Sequence, residues 1–255
     1  MLPAKLALAD KTALIVGGSR GIGLAIAELF AKQGIRVVIM ARSAASLREA
    51  VAQIGENTLA ITADIADPES VREAFAQLKS ECSGLDFLIN CAAVADLIKV
   101  EQVSDALIEH HMRTNVMGMI YCCREAIPLL RRSSCATIIN MSSDSVSDPF
   151  PYLTLYATTK GAVEAFTKAL RRELKADGIR VTLVRPGPTT TSFASSWNPE
   201  LFGDAIEVWH KGGYLKLNED GGSSTMQAST VAESILNIVN QPLDSYVEFM
   251  EIRPR

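Results

Sequence analysis

The chain alternates short apolar runs with stretches of helical periodicity. Apolar runs rich in β-branched residues predict buried strands at residues 13–16, 37–40, 59–62, 87–89, 137–140, 181–184 and 247–250. Between them, apolar residues recur at helical spacing, for example over 22–32, 68–79 and 231–239. Strands that alternate with helices need crossover connections, so the pattern predicts an α/β fold, a doubly wound parallel sheet of about seven strands with helices on both faces.

Some helix ends carry their own signals. Asp67 followed by Pro68 predicts a helix start, and Gly34 predicts the end of the helix over 22–32. Thr230 and Glu233 have the spacing of a capping box, so we expect the last helix to begin there.

One stretch, residues 192–229, breaks the alternation. Its pattern is irregular and ends in a polar run over 218–224. Long irregular segments within compact domains are usually lids or binding loops, so we expect a substrate loop here. No other stretch suggests a domain boundary, and we therefore expect residues 1–255 to form a single domain.

Charge and composition narrow the class of protein. The 255-residue chain is 48% hydrophobic with a formal net charge of −4, and its lysines and arginines are scattered, which argues against nucleic acid as a partner. The first residues lack a signal segment, and no stretch gives about 18 uninterrupted apolar residues. We therefore expect a cytoplasmic protein with no membrane partner. Five cysteines and three histidines show no metal-ligand spacing, which predicts reduced core thiols and no metal site.

A glycine-rich turn follows the first predicted strand and leads directly into a helix. Its glycines have the spacing G-x-x-x-G-x-G, in a segment that contains Gly17, Ser19, Arg20, Gly21, Ile22 and Gly23. Glycine lets the backbone turn tightly, and a helix N-terminus presents free amides and a partial positive charge. The turn therefore predicts a binding site for the pyrophosphate of a dinucleotide. The alternative is a tight strand-to-helix turn without a ligand.

Tyr156 and Lys160 are four residues apart in a predicted helix. This spacing places both side chains on one face, about 6 Å apart along the helix axis. An ammonium beside a phenol lowers the phenol's pKa, so the pair predicts a tuned acid. The alternative is a solvated helix pair.

These features together resemble the short-chain dehydrogenase/reductase family, and the likeness spans nearly the whole chain. The family's catalytic residues are matched by Asn115, Ser143, Tyr156 and Lys160. Its further cofactor contacts are matched by Asp64, Ile65, Asn90, Pro186, Gly187, Thr189 and Thr191. The chain departs from the family's pattern at Val16, usually threonine, and at Cys91-Ala92-Ala93, usually Asn-Ala-Gly. The resemblance implies a Rossmann-like fold and a single dinucleotide-binding and catalytic domain.

The resemblance also implies a mechanism. Tyr156 would act as general acid toward the oxygen of a carbonyl that receives hydride from nicotinamide, and Ser143 would hold that oxygen. Lys160 would contact the nicotinamide ribose and lower the pKa of Tyr156. Asn115 would keep a water molecule beside Lys160. The alternative for Asn115 is a polar residue that bends its helix.

Charge at the end of the second strand bears on the choice of cofactor. An acidic residue there binds the ribose 2′-hydroxyl and repels a 2′-phosphate, whereas arginine attracts the phosphate. Ala41 occupies the acidic position, and Arg20 and Arg42 lie where NADP-preferring members of the family place basic residues. NADP is therefore favoured over NAD. The alternative is that both arginines merely face solvent.

The sequence says less about the substrate. The predicted substrate loop holds five of the fifteen aromatic residues, namely Phe193, Trp197, Phe202, Trp209 and Tyr214. They favour an apolar or ring-containing substrate, and the alternative is that the rings only pack the loop against the body. We expect an NADP-dependent oxidoreductase that interconverts a carbonyl and a secondary alcohol. The alternatives are an NAD-dependent alcohol dehydrogenase and an NADP-binding regulator without turnover, which the four matched catalytic residues argue against.

Two long predicted helical segments, 106–130 and 152–175, hold more apolar residues than one sheet-facing stripe needs. In the resembling family these helices pack against a second subunit. We therefore expect a homodimer or a homotetramer. The alternative is a monomer whose helices are covered by the substrate loop.

Overall fold

The computed structural model describes residues 7–214 and 224–255. Its strands are β1 (Thr12–Val16), β2 (Arg36–Ala41), β3 (Leu59–Thr62), β4 (Phe87–Asn90), β5 (Thr137–Met141), β6 (Arg180–Pro186), β7 (Thr189–Thr190), β8 (Met226–Gln227) and β9 (Phe249–Ile252). Its α-helices are α1 (Gly21–Lys32), α2 (Ala44–Ile54), α3 (Pro68–Glu81), α4 (Asp105–His111), α5 (Met119–Leu130), α6 (Thr154–Glu173), α7 (Pro199–Lys211) and α8 (Ala228–Val239). The first residues and most of the polar run at 218–224, on which sequence expectations rest, lie outside the described residues.

The central sheet contains seven strands, all parallel, in the order β3-β2-β1-β4-β5-β6-β9. The chain builds the sheet outward from β1 to β3 and then continues from β4 on the other side of β1. The strand order therefore reverses between β1 and β4, and open α/β sheets bind their ligands outside the carboxyl ends of the strands at such a point. The predicted doubly wound parallel sheet is confirmed.

Both faces of the sheet are covered by helices. Successive residues of a strand face opposite sides, so Leu14 packs with residues of α3, α5 and α6, whereas Ile15 packs with residues of α1, α2 and α8. The two apolar layers hold the strand ends rigidly, and the site described below is built on those ends.

Two predicted boundaries were wrong. The last strand is Phe249–Ile252 rather than 247–250, because hydrogen bonding to β6 pairs Phe249 with Leu183 and Ile252 with Pro186. This strand lies at the sheet edge, where its residues are half-buried or exposed and an apolar run is a poor guide to pairing. Helix α8 begins at Ala228, directly after β8, so Thr230 lies inside the helix and forms no cap.

The long segment predicted over 106–130 is helical but not uniform. Ser104 caps α4 by accepting a hydrogen bond from the backbone N–H of Leu107. A π-helical stretch, Met112–Gly118, joins α4 to α5. Such widened turns occur mostly at functional sites, and this one carries Asn115.

The expectation that residues 192–229 are irregular was wrong for the middle of the segment, which forms α7. Asn198 caps this helix by accepting from the backbone N–H groups of Glu200 and Leu201, and Pro199 occupies the first turn. Asparagine followed by proline is an ordinary helix-start signal. Within residues 7–214 and 224–255, no helix has the length and apolar character that crossing a membrane would need.

Candidate active site

A cavity of about 840 Å³ opens at the carboxyl edge of the sheet. The ends of β1, β2, β4, β5 and β6 contribute to its wall, together with α6 and the segment before α7. The predicted site residues that line it are Gly17, Ser19, Arg20, Gly21, Ile22, Gly23, Arg42, Ile65, Ser143, Tyr156, Lys160, Pro186, Gly187, Thr189 and Thr191. Asp64, Asn90 and Asn115 do not line it.

The glycine turn lies against the loop after β4. A Cβ on Gly17 would lie 2.7 Å from the backbone nitrogen of Ala92, and the backbone of Gly17 has a positive φ of 83°. A Cβ on Gly23 would lie 2.2 Å from the carbonyl oxygen of Gly17. These positions therefore admit only glycine, and the turn delivers the chain directly to the N-terminus of α1.

Arg20 and Arg42 form a positive end of the cavity. Both side chains are exposed, and both line the cavity wall. Among residues 7–214 and 224–255, neither is within ion-pair distance of a carboxylate. An anionic group is the natural ligand for two such guanidinium groups.

Residues at the end of β5 and directly after it hold the side chains of Lys160 and Ser143. The Nζ atom of Lys160, a buried side chain, donates to the carbonyl oxygen of Met141 at 2.9 Å. The hydroxyl of Ser143 donates to Asp144 Oδ1 at 3.3 Å and accepts from the N–H of Ser145 at 3.2 Å. Both groups therefore reach the cavity from a fixed backbone.

Tyr156 and Lys160 project from one face of α6, as their spacing predicts. The Nζ atom of Lys160 lies 5.7 Å from the centre of the Tyr156 ring. Burial raises the pKa of Tyr156 to about 12, although its hydrogen bond with Ser143 acts in the lowering direction. Burial also lowers the pKa of Lys160 from 10.5 to about 8. The predicted lowering of the Tyr156 pKa by Lys160 was thus wrong for the protein alone, because burial is the larger effect.

Asn115 links the π-helical stretch, on which it lies, to the loop after β4 and to α6. Its Oδ1 accepts from the N–H of Val94 at 2.8 Å, and its Nδ2 donates to the carbonyl oxygen of Val94 at 2.8 Å. The same Nδ2 donates to Thr159 Oγ1 at 3.0 Å, next to Lys160. Both amide hydrogens are therefore used, and only a lone pair of Oδ1 is left for a water molecule.

Asn90 and Asp64 serve the structure around the cavity. The Nδ2 of Asn90, a buried side chain, donates to Asn140 Oδ1 at 2.8 Å, which ties β4 to β5. Asp64 accepts from the N–H of Ala66 at 3.0 Å and so shapes the turn after β3.

The segment after β6 closes the cavity opposite the glycine turn. Gly187 donates to the carbonyl oxygen of Ile252 at 2.7 Å, and Thr189 Oγ1 donates to the carbonyl oxygen of Gly187 at 2.8 Å. A Cβ on Gly21 would lie 3.3 Å from the Thr191 side chain. The two walls thus approach each other closely at this end.

Aromatic rings line the other end of the cavity. Trp197 Nε1 donates to the carbonyl oxygen of Ala95, and Trp209 Nε1 donates to that of Pro151, both at 2.8 Å. Phe193 lies over Tyr156, with 5.8 Å between ring centres. Of the five aromatic residues predicted for the substrate loop, Phe193, Trp197 and Trp209 line the cavity, whereas Phe202 and Tyr214 do not.

Sequence reasoning missed a buried charge network behind the site. Glu164, four residues after Lys160 on α6, accepts two hydrogen bonds from Arg185 of β6 at 2.9 Å and one at 3.0 Å. Ser142 donates to the same carboxylate at 2.8 Å. The signal was available, because Glu164 lies four residues after Lys160 and so shares its face of the helix.

Comparison with known proteins agrees with this arrangement. Residues 11–201 match the family model described as short chain dehydrogenase. A 3-oxoacyl-[acyl-carrier-protein] reductase of Bos taurus is 31% identical over 210 residues, which cover 78% of this chain and 88% of that protein. A solved 3-ketoacyl-(acyl-carrier-protein) reductase from Brucella melitensis, complexed with NADH, is 26% identical with a TM-score of 0.82 and covers 96% of this chain and 98% of its own. An alcohol dehydrogenase from Thermococcus sibiricus, complexed with 5-hydroxy-NADP, shares the fold at 24% identity and a TM-score of 0.79, covering 96% of this chain and 97% of its own.

Proposed function

The chain belongs to the short-chain dehydrogenase family and is an oxidoreductase, and from this premise we propose that it transfers hydride between NADP(H) and a carbonyl or secondary alcohol. We further propose that residues 1–255 form one domain that binds both cofactor and substrate. One observation carries the proposal. The glycine turn, Arg20 and Arg42, and the Ser143, Tyr156 and Lys160 side chains all line the same cavity.

A nicotinamide dinucleotide fits the residues present. The glycine turn lines the cavity at the N-terminus of α1, where the backbone amides can receive a pyrophosphate. The other residues that would hold the cofactor are Arg20 and Arg42 at the 2′-phosphate, Ile65 at the adenosine, Tyr156 and Lys160 at the ribose, and Pro186, Gly187, Thr189 and Thr191 at the carboxamide. The predicted contacts of Asp64 and Asn90 with the cofactor are left out, because neither residue lines the cavity. When bound, the nicotinamide supplies or accepts the hydride.

Tyr156 is the proposed general acid. With a pKa near 12, its phenol keeps its proton at neutral pH, which is the form needed to protonate the oxygen of a reduced carbonyl. Ser143 would hold that oxygen by hydrogen bonding. Lys160 has a pKa near 8 and three N–H groups, of which Met141 accepts one, so it can carry a proton toward the phenol.

Asn115 would support Lys160 through the backbone and through a water molecule. Its bonds to Val94 and Thr159 position the loop after β4 beside α6. The lone pair left on Oδ1 is where we place the proposed water that refills the site with protons.

The charges favour the phosphorylated cofactor. Arg20 and Arg42 are exposed at the cavity end where Ala41 provides no carboxylate to repel a 2′-phosphate. The aromatic wall favours a substrate with an apolar or ring-containing body. The bovine relative is named for a 3-oxoacyl substrate, and the carbonyl in such a group is the kind of centre this site would reduce.

A spectrophotometric panel tests the proposal. Ketones, aldehydes and secondary alcohols are each assayed with NADPH, NADP, NADH and NAD, with Tyr156→Phe as the control that keeps the ring and removes the proton. We expect reduction of a ketone with NADPH and none in the variant. Cofactor binding by calorimetry without turnover of any compound would instead support the non-catalytic regulator, and turnover with NAD alone would support the NAD-dependent alcohol dehydrogenase.

A further inference from the structure

Asp96, on the loop after β4, places a carboxylate on the wall of the cavity. Its side chain is 42% exposed. Among the described residues, its one partner within ion-pair distance is His111, and no lysine or arginine neutralises it. The cavity therefore presents a negative charge that the proposed cofactor chemistry does not use.

Hydrogen bonds anchor the loop backbone directly before Asp96. Asn115 binds both backbone groups of Val94, two residues before Asp96. Trp197 donates to the carbonyl oxygen of Ala95, the residue next to it. One anchor comes from the π-helical stretch and the other from the segment before α7, so Asp96 is presented on the substrate side of the cavity by the same contacts that organise the site.

The buried side chain behind Asp96 is the imidazole of His111. His111 is fully buried, and its Nδ1 lies 3.0 Å from the carbonyl oxygen of Leu107, which can only accept, so Nδ1 carries the hydrogen. Its Nε2 lies 3.6 Å from Asp96 Oδ2 and has no hydrogen-bond partner among the described residues. The ring therefore covers the buried side of Asp96, and the exposed side of the carboxylate is accessible from the cavity.

The aromatic residues of the cavity also favour a positively charged ligand. Phe150, Tyr156, Phe193, Trp197 and Trp209 all line the cavity. The faces of aromatic rings attract cations, and the attraction grows when water is excluded. A carboxylate and several aromatic rings on the wall of one cavity are the groups that recognise a protonated amine.

We propose that the substrate is a carbonyl or alcohol compound that carries a protonated amine next to an apolar or aromatic body, with Asp96 pairing with the ammonium group. This inference rests on the proposed function, because it names the substrate class of the same site. The ammonium group would pair with the exposed side of the Asp96 carboxylate, and the rings that line the same cavity would enclose the remainder.

Two ketones of the same shape test the inference. One is an aryl ketone with a primary ammonium group, and the other has a methyl group in its place. A charge-assisted hydrogen bond should raise kcat/KM for the ammonium compound by about 10- to 100-fold over the neutral one. Asp96→Asn, which keeps the shape and removes the charge, should reduce that ratio to about one. Glu109→Gln removes an equal charge from the exposed face of α4, outside the cavity, and should keep the ratio.

A binding measurement separates this inference from the proposed function. Calorimetric titration with phenethylammonium should show binding to the wild-type protein and to Glu109→Gln, and a loss in Asp96→Asn whose melting temperature shows that it is folded. A wild-type preference for the neutral ketone, or an unchanged ratio in Asp96→Asn, would overturn the inference. If no ketone is reduced with either cofactor, the proposed function fails, and the titration alone then decides the role of Asp96.

Discussion

Breaking the buried ion pair between Glu164 and Arg185 should show how strongly α6, β6 and the segment after β5 are coupled. Glu164 belongs to α6 and Arg185 to β6, and Ser142, which donates to Glu164, follows β5. The side chains of Glu164 and Arg185 are 7% and 15% exposed, and the guanidinium meets the carboxylate through both Nε and Nη2. Removing one partner of such a pair costs about 3–5 kcal/mol, because the other charge stays buried and unpaired. Replacing both partners by apolar residues leaves no buried charge without its partner, so Glu164→Leu with Arg185→Met should change the stability far less than either single substitution.

The two single variants should not be equal. When Glu164 is lost, Arg185 keeps a carboxylate 3.5 Å away on Glu251. When Arg185 is lost, the hydroxyl of Ser142 is the one donor to Glu164 that remains among the residues that the structure describes. Arg185→Met should therefore destabilise the protein more than Glu164→Leu.

Urea unfolding of the wild type, both single variants and the double variant, at one fixed protomer concentration, measures these terms. The sum of the single losses should exceed the loss in the double variant by about 3 kcal/mol or more, since residues in one network do not add. Additivity within about 0.5 kcal/mol would refute the coupling. A larger loss for Glu164→Leu would refute the compensating role of Glu251.

Four further expectations concern the site and the assembly. Tyr156→Phe should lower carbonyl reduction by about 10²–10⁴-fold while calorimetric cofactor binding survives, and turnover within about tenfold of wild type would contradict the acid role. Replacing Arg20 and Arg42 together by alanine should weaken NADPH binding by about tenfold or more relative to NADH in a fluorescence titration, whereas equal losses would argue against phosphate recognition. Because Lys160 loses its ammonium as the pH rises through about 8, the pH–rate profile of reduction should fall above that pH, and a flat profile from neutral to alkaline pH would contradict a need for the charge. Light scattering should give two or four times the protomer mass of 27.5 kDa, and a mass near that of one protomer would exclude the expected homodimer or homotetramer.

The features that sequence predicted well are local ones. The glycine turn is determined by backbone conformation over a few residues, and the Tyr156 and Lys160 pair by helical spacing alone, so both could be identified before the fold was known. The start of α7 is also determined locally, by Asn198 followed by Pro199. The surrounding segment has little helical periodicity, and its pattern therefore predicted a loop.

The features that sequence could not supply depend on tertiary contacts. Asn115 bonds to Thr159, 44 residues away in the chain, and no spacing rule connects them. The pKa of Tyr156 rises because of burial, which depends on packing rather than on the distance to Lys160 along the helix. The role that we propose for Asp96 depends on the fold, because the loop after β4 and the aromatic residues must line the same cavity.

Because Trp197 and Trp209 line the cavity and are hydrogen-bonded to carbonyl groups of other segments, tryptophan fluorescence can report on this part of the protein. These are the chain's two tryptophans, and each indole donates to a carbonyl outside its own segment, on Ala95 and Pro151. A ligand that binds in the cavity beside these indoles changes their surroundings. Intrinsic tryptophan emission therefore reports on this wall of the cavity rather than on the rest of the molecule, and stopped-flow fluorescence can follow ligand binding there.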